Sequence, residues 1–244
     1  MTGSNRRVLT IVAAVAVVVL LAAGVFLSKG NDESAETSSS ADATAEQSPA
    51  QESMTEEEVG LVRRDVDDVT AMGDVDAPVV LIEYSDYRCP FCGAFARDTM
   101  PTLIEEYIDS GTLRFEWRDF PVFGDESVKG AMAARAAGEQ DRYWEYHDAM
   151  YADAPERGHL EITDAKIMDW AKEADVPDLE QFEQDLDDPQ LREKVEADSR
   201  EASTEVGATG TPTFVIGDQR VVGAQPTDTF RDLIDDELAA VEDE

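Results

Sequence analysis

The sequence predicts an α/β fold in the order β-α-β, a block of helices, then β-β-α, on three observations. An apolar run starting at Val79-Val80-Leu81-Ile82 reaches Ser85 and hands over to a helix that begins at Pro90. The stretch from Leu113 to Asp119 alternates apolar and polar residues, the pattern of a strand with one face covered. Near the C-terminus Thr213-Phe214-Val215-Ile216 and Arg220-Val221-Val222-Gly223 flank Gly217-Asp218-Gln219, a β-hairpin signature. At 244 residues the chain holds one sizeable domain with room for extra segments.

The first of those segments is residues 1–29, a cytoplasmic stub and transmembrane anchor. Residues 8–27 carry no charge and would measure about 30 Å as a helix, the thickness of a bilayer's hydrocarbon core. Arg6 and Arg7 precede the run and the chain turns acidic after Lys29, which places the N-terminus in the cytoplasm and the rest outside. The expectation is a single-pass protein of the cell membrane with an extracytoplasmic catalytic domain. A cleaved signal peptide is the competing reading, since Ala22-Ala23-Gly24 offers small residues, although the apolar stretch exceeds a typical h-region. Arg6-Arg7 is also faintly similar to a twin-arginine export signal.

Residues 30–60 form a disordered acidic linker. From 31 to 58 there is no aromatic and no basic residue, so the segment cannot bury enough surface to fold. It is a tether spanning roughly 30 Å root-mean-square.

Residues 61–244 make the folded domain. Its first helix has Pro90 at the first position, carries Phe91, Phe95, Leu103, Ile104, Tyr107 and Ile108, and stops at Ser110-Gly111; Pro101 should kink it. The helical block, about 125–207, comprises amphipathic pieces at 127–138, 141–151, 163–174, 178–186 and 189–206. A last helix starts at Thr227 as N-cap with Phe230, Leu233, Ile234, Leu238 and Val241 on one face. Trp117, Trp144 and Trp170 take core positions, and His147 is a packing residue.

The formal charge of −35, from 55 acidic and 20 basic residues, repels phosphate backbones and anionic lipid, so nucleic acid is excluded as a partner. The acidity itself reads as a well-solvated surface. Cys89-Pro90-Phe91-Cys92 contains both cysteines of the chain, at the strand-to-helix junction. A disulfide across so short a loop would contribute only roughly 2 kcal/mol, a poor staple. A metal would need two more ligands, and His147 and His159 lack the spacing for them, so no metal is expected. A redox pair in an exported compartment remains.

The order of elements, with the cysteine pair at the first βα turn, resembles the thioredoxin fold carrying an inserted helical subdomain, as in the DsbA-like thiol-disulfide oxidoreductases. Ala77-Pro78-Val79 through Glu83-Tyr84-Ser85-Asp86-Tyr87-Arg88-Cys89-Pro90-Phe91-Cys92 is similar to that family's signature. Arg118-Asp119-Phe120-Pro121, Tyr143-Trp144-Glu145-Tyr146-His147 and Gly210-Thr211-Pro212-Thr213 are similar to its next strand end, its helical insertion and its cis-proline loop.

A helix N-terminus stabilises a thiolate, so Cys89 is expected to be the attacking or attacked sulfur, at the exposed end of the helix, and Cys92 the buried, resolving one. Asp86 is either a turn or cap residue or a carboxylate that raises the thiol's pKa. Glu83, an acid in an apolar strand, is either exposed at a strand end or, as the resemblance implies, lies beneath the site and shuttles the proton of the buried thiol. The resemblance also implies a cis bond at Pro212, with Thr211 offering its backbone to an extended substrate. Pro90, Phe91 and Thr211 tune the balance of thiolate and disulfide.

The expected function is an extracytoplasmic enzyme that introduces disulfides into exported proteins, with the Cys89-Cys92 disulfide in place of any cofactor. Its partners would be exported proteins with free thiols or disulfides. A DsbB-like or vitamin K epoxide reductase-like membrane enzyme would remove the electrons. A reductase or isomerase of the same fold, or a redox-independent holdase, is the alternative.

Overall fold

A six-stranded sheet organises a computed structural model of the chain, which describes residues 52–53 and 58–242. In chain order the elements are β1 (Glu52–Ser53), a 3-10 turn (Glu58–Leu61), β2 (Ala71–Met72), β3 (Val79–Ser85), α1 (Pro90–Ala94), α2 (Met100–Leu103), β4 (Leu113–Asp119) and α3 (Asp125–Gly138). They continue with α4 (Tyr143–Asp153), α5 (Asp164–Glu173), α6 (Leu179–Asp185), α7 (Pro189–Thr204), β5 (Thr213–Ile216), β6 (Gln219–Val222) and α8 (Thr227–Glu242). The expected anchor at 1–29 lies outside the described residues, as does the expected linker apart from 52–53 and 58–60. Among the described residues no helix is long and apolar enough to cross a membrane.

The sheet order is β1-β6-β5-β3-β4-β2, and of its pairings only β3 with β4 is parallel. A parallel pair needs a crossover, which the helical stretch 90–108 supplies. That stretch is continuous through Pro101. Instead of a break, it widens into π-helical turns at Phe95–Thr99 and Ile104–Ile108 around α2. Pro101 cannot donate to the carbonyl four residues back, and Met100 N–H bonds to Phe95 O, five residues back, in the turn before it.

Every residue of β3 is buried, and its two faces serve two clusters. Val79 and Leu81 face the larger one, with Phe95, Phe115, Trp117, Phe214 and Phe230. Val80, Ile82 and Tyr84 face a smaller one, with Leu61, Phe120, Ala202, Val206 and Val215. His147 packs in the larger cluster's interior against Tyr87, Trp117, Trp144 and Tyr151, while Trp144 itself is only partly buried.

The alternation in β4 predicts one covered face, and the structure covers both. Arg114, Glu116 and Arg118 are buried under the segment around Arg63 and under α7. They tolerate this because Glu116 pairs with both arginines. Glu116 accepts from Arg114 Nε at 2.9 Å, Arg118 Nη2 at 2.6 Å and the backbone N–H groups of Arg63 and Arg64. Burial pushes its carboxyl up, but the bond from Arg114 and the charge of Arg118 outweigh that and hold it below the usual carboxylate value. Asp198 of α7 ties the network to α3 and to the end of β4. Its Oδ1 accepts from Arg63 Nη2 at 2.7 Å; its Oδ2 accepts from Arg135 Nη2 at 2.5 Å and from the Asp119 N–H at 3.1 Å.

The hairpin is one residue tighter than the sequence suggests. Ile216 pairs with Gln219, so the turn is Gly217-Asp218, with Gly217 at φ +53°. The edge strands β1 and β2 had no signal because each is two residues long.

Asp198→Ala is expected to destabilise the domain by about 2 kcal/mol or more, because it leaves Arg135 Nη2 and the Asp119 N–H buried without their acceptor, while Arg135 Nε keeps Asp119. Urea unfolding checks this, with Arg231→Ala, which removes exposed bonds to Glu106 and Asp228, expected to leave the midpoint nearly unchanged.

Candidate active site

The apolar strand β3 runs through the middle of the sheet, and the loop after its C-terminal end turns into α1. Asp86 O accepts from the Cys89 N–H at 2.9 Å, and Cys89 is the N-cap of α1 with extended backbone angles. Pro90 follows at the first helical position, where its missing N–H costs nothing. Both cysteines are free thiols. Cys92 is fully buried, as expected, whereas Cys89 is only 2% exposed and the residue that stands out at this helix end is Phe91, at 64%.

The two sulfurs have opposite proton affinities. A hydrogen bond from the Cys92 thiol lowers the Cys89 pKa to about 6; burial opposes this, and the N–H groups of Cys92 and Phe91 reinforce it. Burial pushes the Cys92 thiol well above its ordinary value, and the hydrogen bond and charge of Cys89 and the charge of Glu83 add to the push. Cys89 is therefore a thiolate at neutral pH and Cys92 a thiol.

Glu83 lies on the same face of β3 as Val79 and Leu81. It is 1% exposed, on the central strand, so exposure at a strand end does not apply. Burial raises its pKa to about 8, against the hydrogen bond from Ser85 Oγ at 2.7 Å and with the charge of Cys89. A neutral acid thus sits close enough to Cys92 for the charge on either to disfavour charge on the other.

Register places the opposite wall. Tyr84 pairs with Thr213, so the residue before Thr213 stands at the end of β3 beside the cysteines. That residue is Pro212, and the Thr211-Pro212 bond is cis. Thr211 O lies 3.2 Å from Cys89 Sγ, which donates to it when protonated.

Asp86 sits three residues before Cys89, but its carboxylate is occupied with the chain. It accepts from the N–H groups of Arg88 at 2.8 Å, Val122 at 2.7 Å and Phe123 at 3.2 Å, which staples the catalytic loop to the loop after β4. Burial raises its pKa and these bonds lower it.

Four residues that sequence reasoning did not single out complete the surroundings. Arg88 donates to Leu160 O at 2.9 Å and Phe123 O at 2.6 Å, and the Nδ1–H of His159 donates to Arg88 O at 3.0 Å, so the helical block grips the residue before Cys89. Ser85 shares a strand face with Glu83, a period-2 signal that was available in the sequence. Tyr151 reaches Ser85 from α4, and nothing in the linear pattern indicates it. Among the described residues no group of three or more His, Cys, Asp or Glu could hold a metal.

Comparison with known proteins agrees with this geometry. A family model described as Thioredoxin matches residues 65–236. A relative from Bacillus anthracis, named "Probable disulfide bond formation protein D", is 33% identical over 173 residues, covering 69% of this chain and 77% of the relative. The oxidised crystal structure of BdbD from Bacillus subtilis is similar with a TM-score of 0.64 at 26% identity, covering 70% of this chain and 92% of that one. The thiol-disulfide exchange protein alpha-DsbA2 from Wolbachia pipientis gives a TM-score of 0.59 at 27% identity, covering 68% and 85%. With its cysteine pair at the first βα turn and its helical insertion, the chain belongs to the thioredoxin family, among the DsbA-like thiol-disulfide oxidoreductases.

Proposed function

We propose that this oxidoreductase works outside the cytoplasm and introduces disulfides into exported proteins. The observation that carries the reading is the asymmetry of the cysteines, a Cys89 thiol lowered to about 6 beside a Cys92 thiol raised well above its ordinary value. A sulfur of low pKa is both a stable thiolate and a good leaving group, which favours the reduced enzyme and hence oxidation of the substrate. The name of the Bacillus anthracis relative supports the same direction.

In the oxidising direction a substrate thiolate attacks Cys89 Sγ of the Cys89-Cys92 disulfide. The intramolecular S–S bond breaks and its electron pair leaves on Cys92. Glu83, neutral because its pKa is about 8, gives its proton to Cys92. A second substrate thiolate then attacks the substrate sulfur of the mixed disulfide, and Cys89 departs as a thiolate. Thr211 and Pro212 line the wall where an extended substrate segment would lie. Phe91, exposed beside the pair, offers an apolar contact, and Pro90 sets the helix start that presents Cys89.

This cycle needs no metal or organic cofactor. It does need an electron acceptor to restore the Cys89-Cys92 disulfide, and a DsbB-like or vitamin K epoxide reductase-like membrane enzyme fits that need. The uncharged run at residues 8–27 supports tethering of the domain near such a partner.

The reduction potential against glutathione tests the direction. A value well above that of a cytosolic thioredoxin, about −270 mV, is expected, and a value close to it overturns the oxidase reading in favour of a reductase. Loss of disulfide-forming activity in Cys89→Ser, with any chaperone activity retained, separates the enzyme from a holdase.

Ultraviolet thiolate absorbance of the reduced protein is expected to rise with a midpoint at about 6, a transition absent from Cys89→Ser. Because the folded-state value lies below the ordinary thiol value of 9.0, the thiolate stabilises the reduced fold fully above that value. The gain is lost as pH falls through about 6, so the stability gap between the reduced protein and Cys89→Ser closes in acid.

Glu83→Gln removes the acid for Cys92. Stopped-flow reduction of the oxidised enzyme by a small dithiol is expected to slow by about 10²-fold at neutral pH.

A further inference from the structure

Two buried hydroxyls lead from Glu83 into the helical block. Ser85 and Tyr151 are 1% and 2% exposed. Ser85 Oγ donates to Glu83 Oε1 at 2.7 Å, and Tyr151 Oη lies 3.4 Å from Ser85 Oγ and 3.4 Å from Asp86 O. A serine has one hydroxyl proton, and here it goes to Glu83 Oε1. The Tyr151 O–H is therefore the donor for Ser85 Oγ, shared with the Asp86 carbonyl.

The Tyr151 ring comes this close because the active-site helix makes room for it. A β-carbon on Gly93, next to Cys92, would stand 3.3 Å from Tyr151 Cδ1 and 2.9 Å from Arg97 Nη1, and that same Arg97 Nη1 donates to Tyr151 O at 2.8 Å. Burial holds the phenol well above its ordinary pKa, and the charges of Cys92 and Glu83 add to this. Tyr151 thus remains a neutral donor at every pH at which the cysteines work.

We propose that Ser85 and Tyr151 are positioning residues for the proton transfer at Cys92. The Tyr151 hydroxyl orients that of Ser85, and Ser85 holds the Glu83 carboxylate that remains after its proton has passed to Cys92. This rests on the reading of Glu83 as the acid in that step. The balance is simple: the S–S bond breaks, the electron pair goes to Cys92 Sγ, the proton moves from Glu83 to Cys92, and Ser85 O–H meets the new carboxylate charge. Reoxidation reverses each transfer. Without the hydroxyl pair Glu83 would be a weaker acid and would donate more slowly.

The titratable groups that face Glu83 are Cys89 and Cys92 at the start of the helix and Tyr151 from α4. Its sheet partners, Trp117 and Phe214, carry none. Tyr151 in turn faces Tyr87 and His147.

Infrared titration of the reduced protein tests the proposal, with Glu83→Gln identifying the Glu83 carboxyl band. The wild-type midpoint is expected at about 8. Ser85→Ala should raise it by about one pH unit, the scale of a lost bond to a charged group. Tyr151→Phe should move it in the same direction by less, and Ser85→Thr, which keeps a hydroxyl, should restore the wild-type value. Should Ser85→Ala not fold, Tyr151→Phe, which keeps the ring against Gly93, carries the test alone. A purely structural role would lower the melting temperature and leave the midpoint in place, and an unmoved midpoint overturns the proposal. Failure of the underlying reading shows separately: if Glu83→Gln is reduced by a dithiol at the wild-type rate, there is no proton step for the hydroxyls to serve.

Discussion

Burial of an acid under the cysteine pair, with no cation among the described residues to meet it, sets the terms for the rest of the site. β3 is covered on both faces, so Glu83 cannot be solvated, and it answers by holding a proton into the neutral range. Burial raises the Cys92 thiol as well, the hydrogen bond and charge of Cys89 and the charge of Glu83 adding to it, and a protonated Cys92 is what can donate to Cys89 and lower it. The asymmetry of the two sulfurs is thus a consequence of how deeply the turn after β3 buries Cys92 beside Cys89. The helix start at Pro90 adds N–H groups to the same end.

The other face of the sheet shows the opposite outcome. Glu116 and Asp198 are as deeply buried as Glu83, but each has arginine partners: Arg114 and Arg118 for the first, Arg63 and Arg135 for the second. Glu116 stays ionised below the usual carboxylate value, while Glu83 is pushed far above it. Buried charge that is paired contributes to structure; buried charge left with a single serine becomes titratable near neutral pH. The same sheet separates the two uses by the period-2 alternation of its strands.

The helical insertion does more than cover the sheet. Arg88 and His159 fasten the residue before Cys89 to the loop ahead of α5, Asp86 fastens the same turn to the loop after β4, and Tyr151 enters beneath it. The cysteines sit on a turn held from three directions. Such support keeps the sulfur, the acid and the Thr211-Pro212 wall in one geometry while substrates come and go.

Local pattern determined much of this protein. The boundaries of β3 and β4, the helix start at Pro90 and the five helices of the block follow from periodicity, proline and caps, because these depend on neighbours in the chain. Cys89 and Cys92 were legible from their spacing at the strand-to-helix junction, whereas Glu83 and Pro212 were singled out through the resemblance of their motifs to the family's. What the tertiary structure decided is every property that depends on what covers a residue. Alternation in β4 could not reveal that Arg114, Glu116 and Arg118 pair under α7, nor could proximity to Cys89 reveal that Asp86 is taken up by Val122 and Phe123. Tyr151 had no signal at all, since only the docking of α4 brings it to Ser85. Sequence sets which groups can ionise; the dielectric and the partners around them, which come from segments far along the chain, decide at what pH they do so.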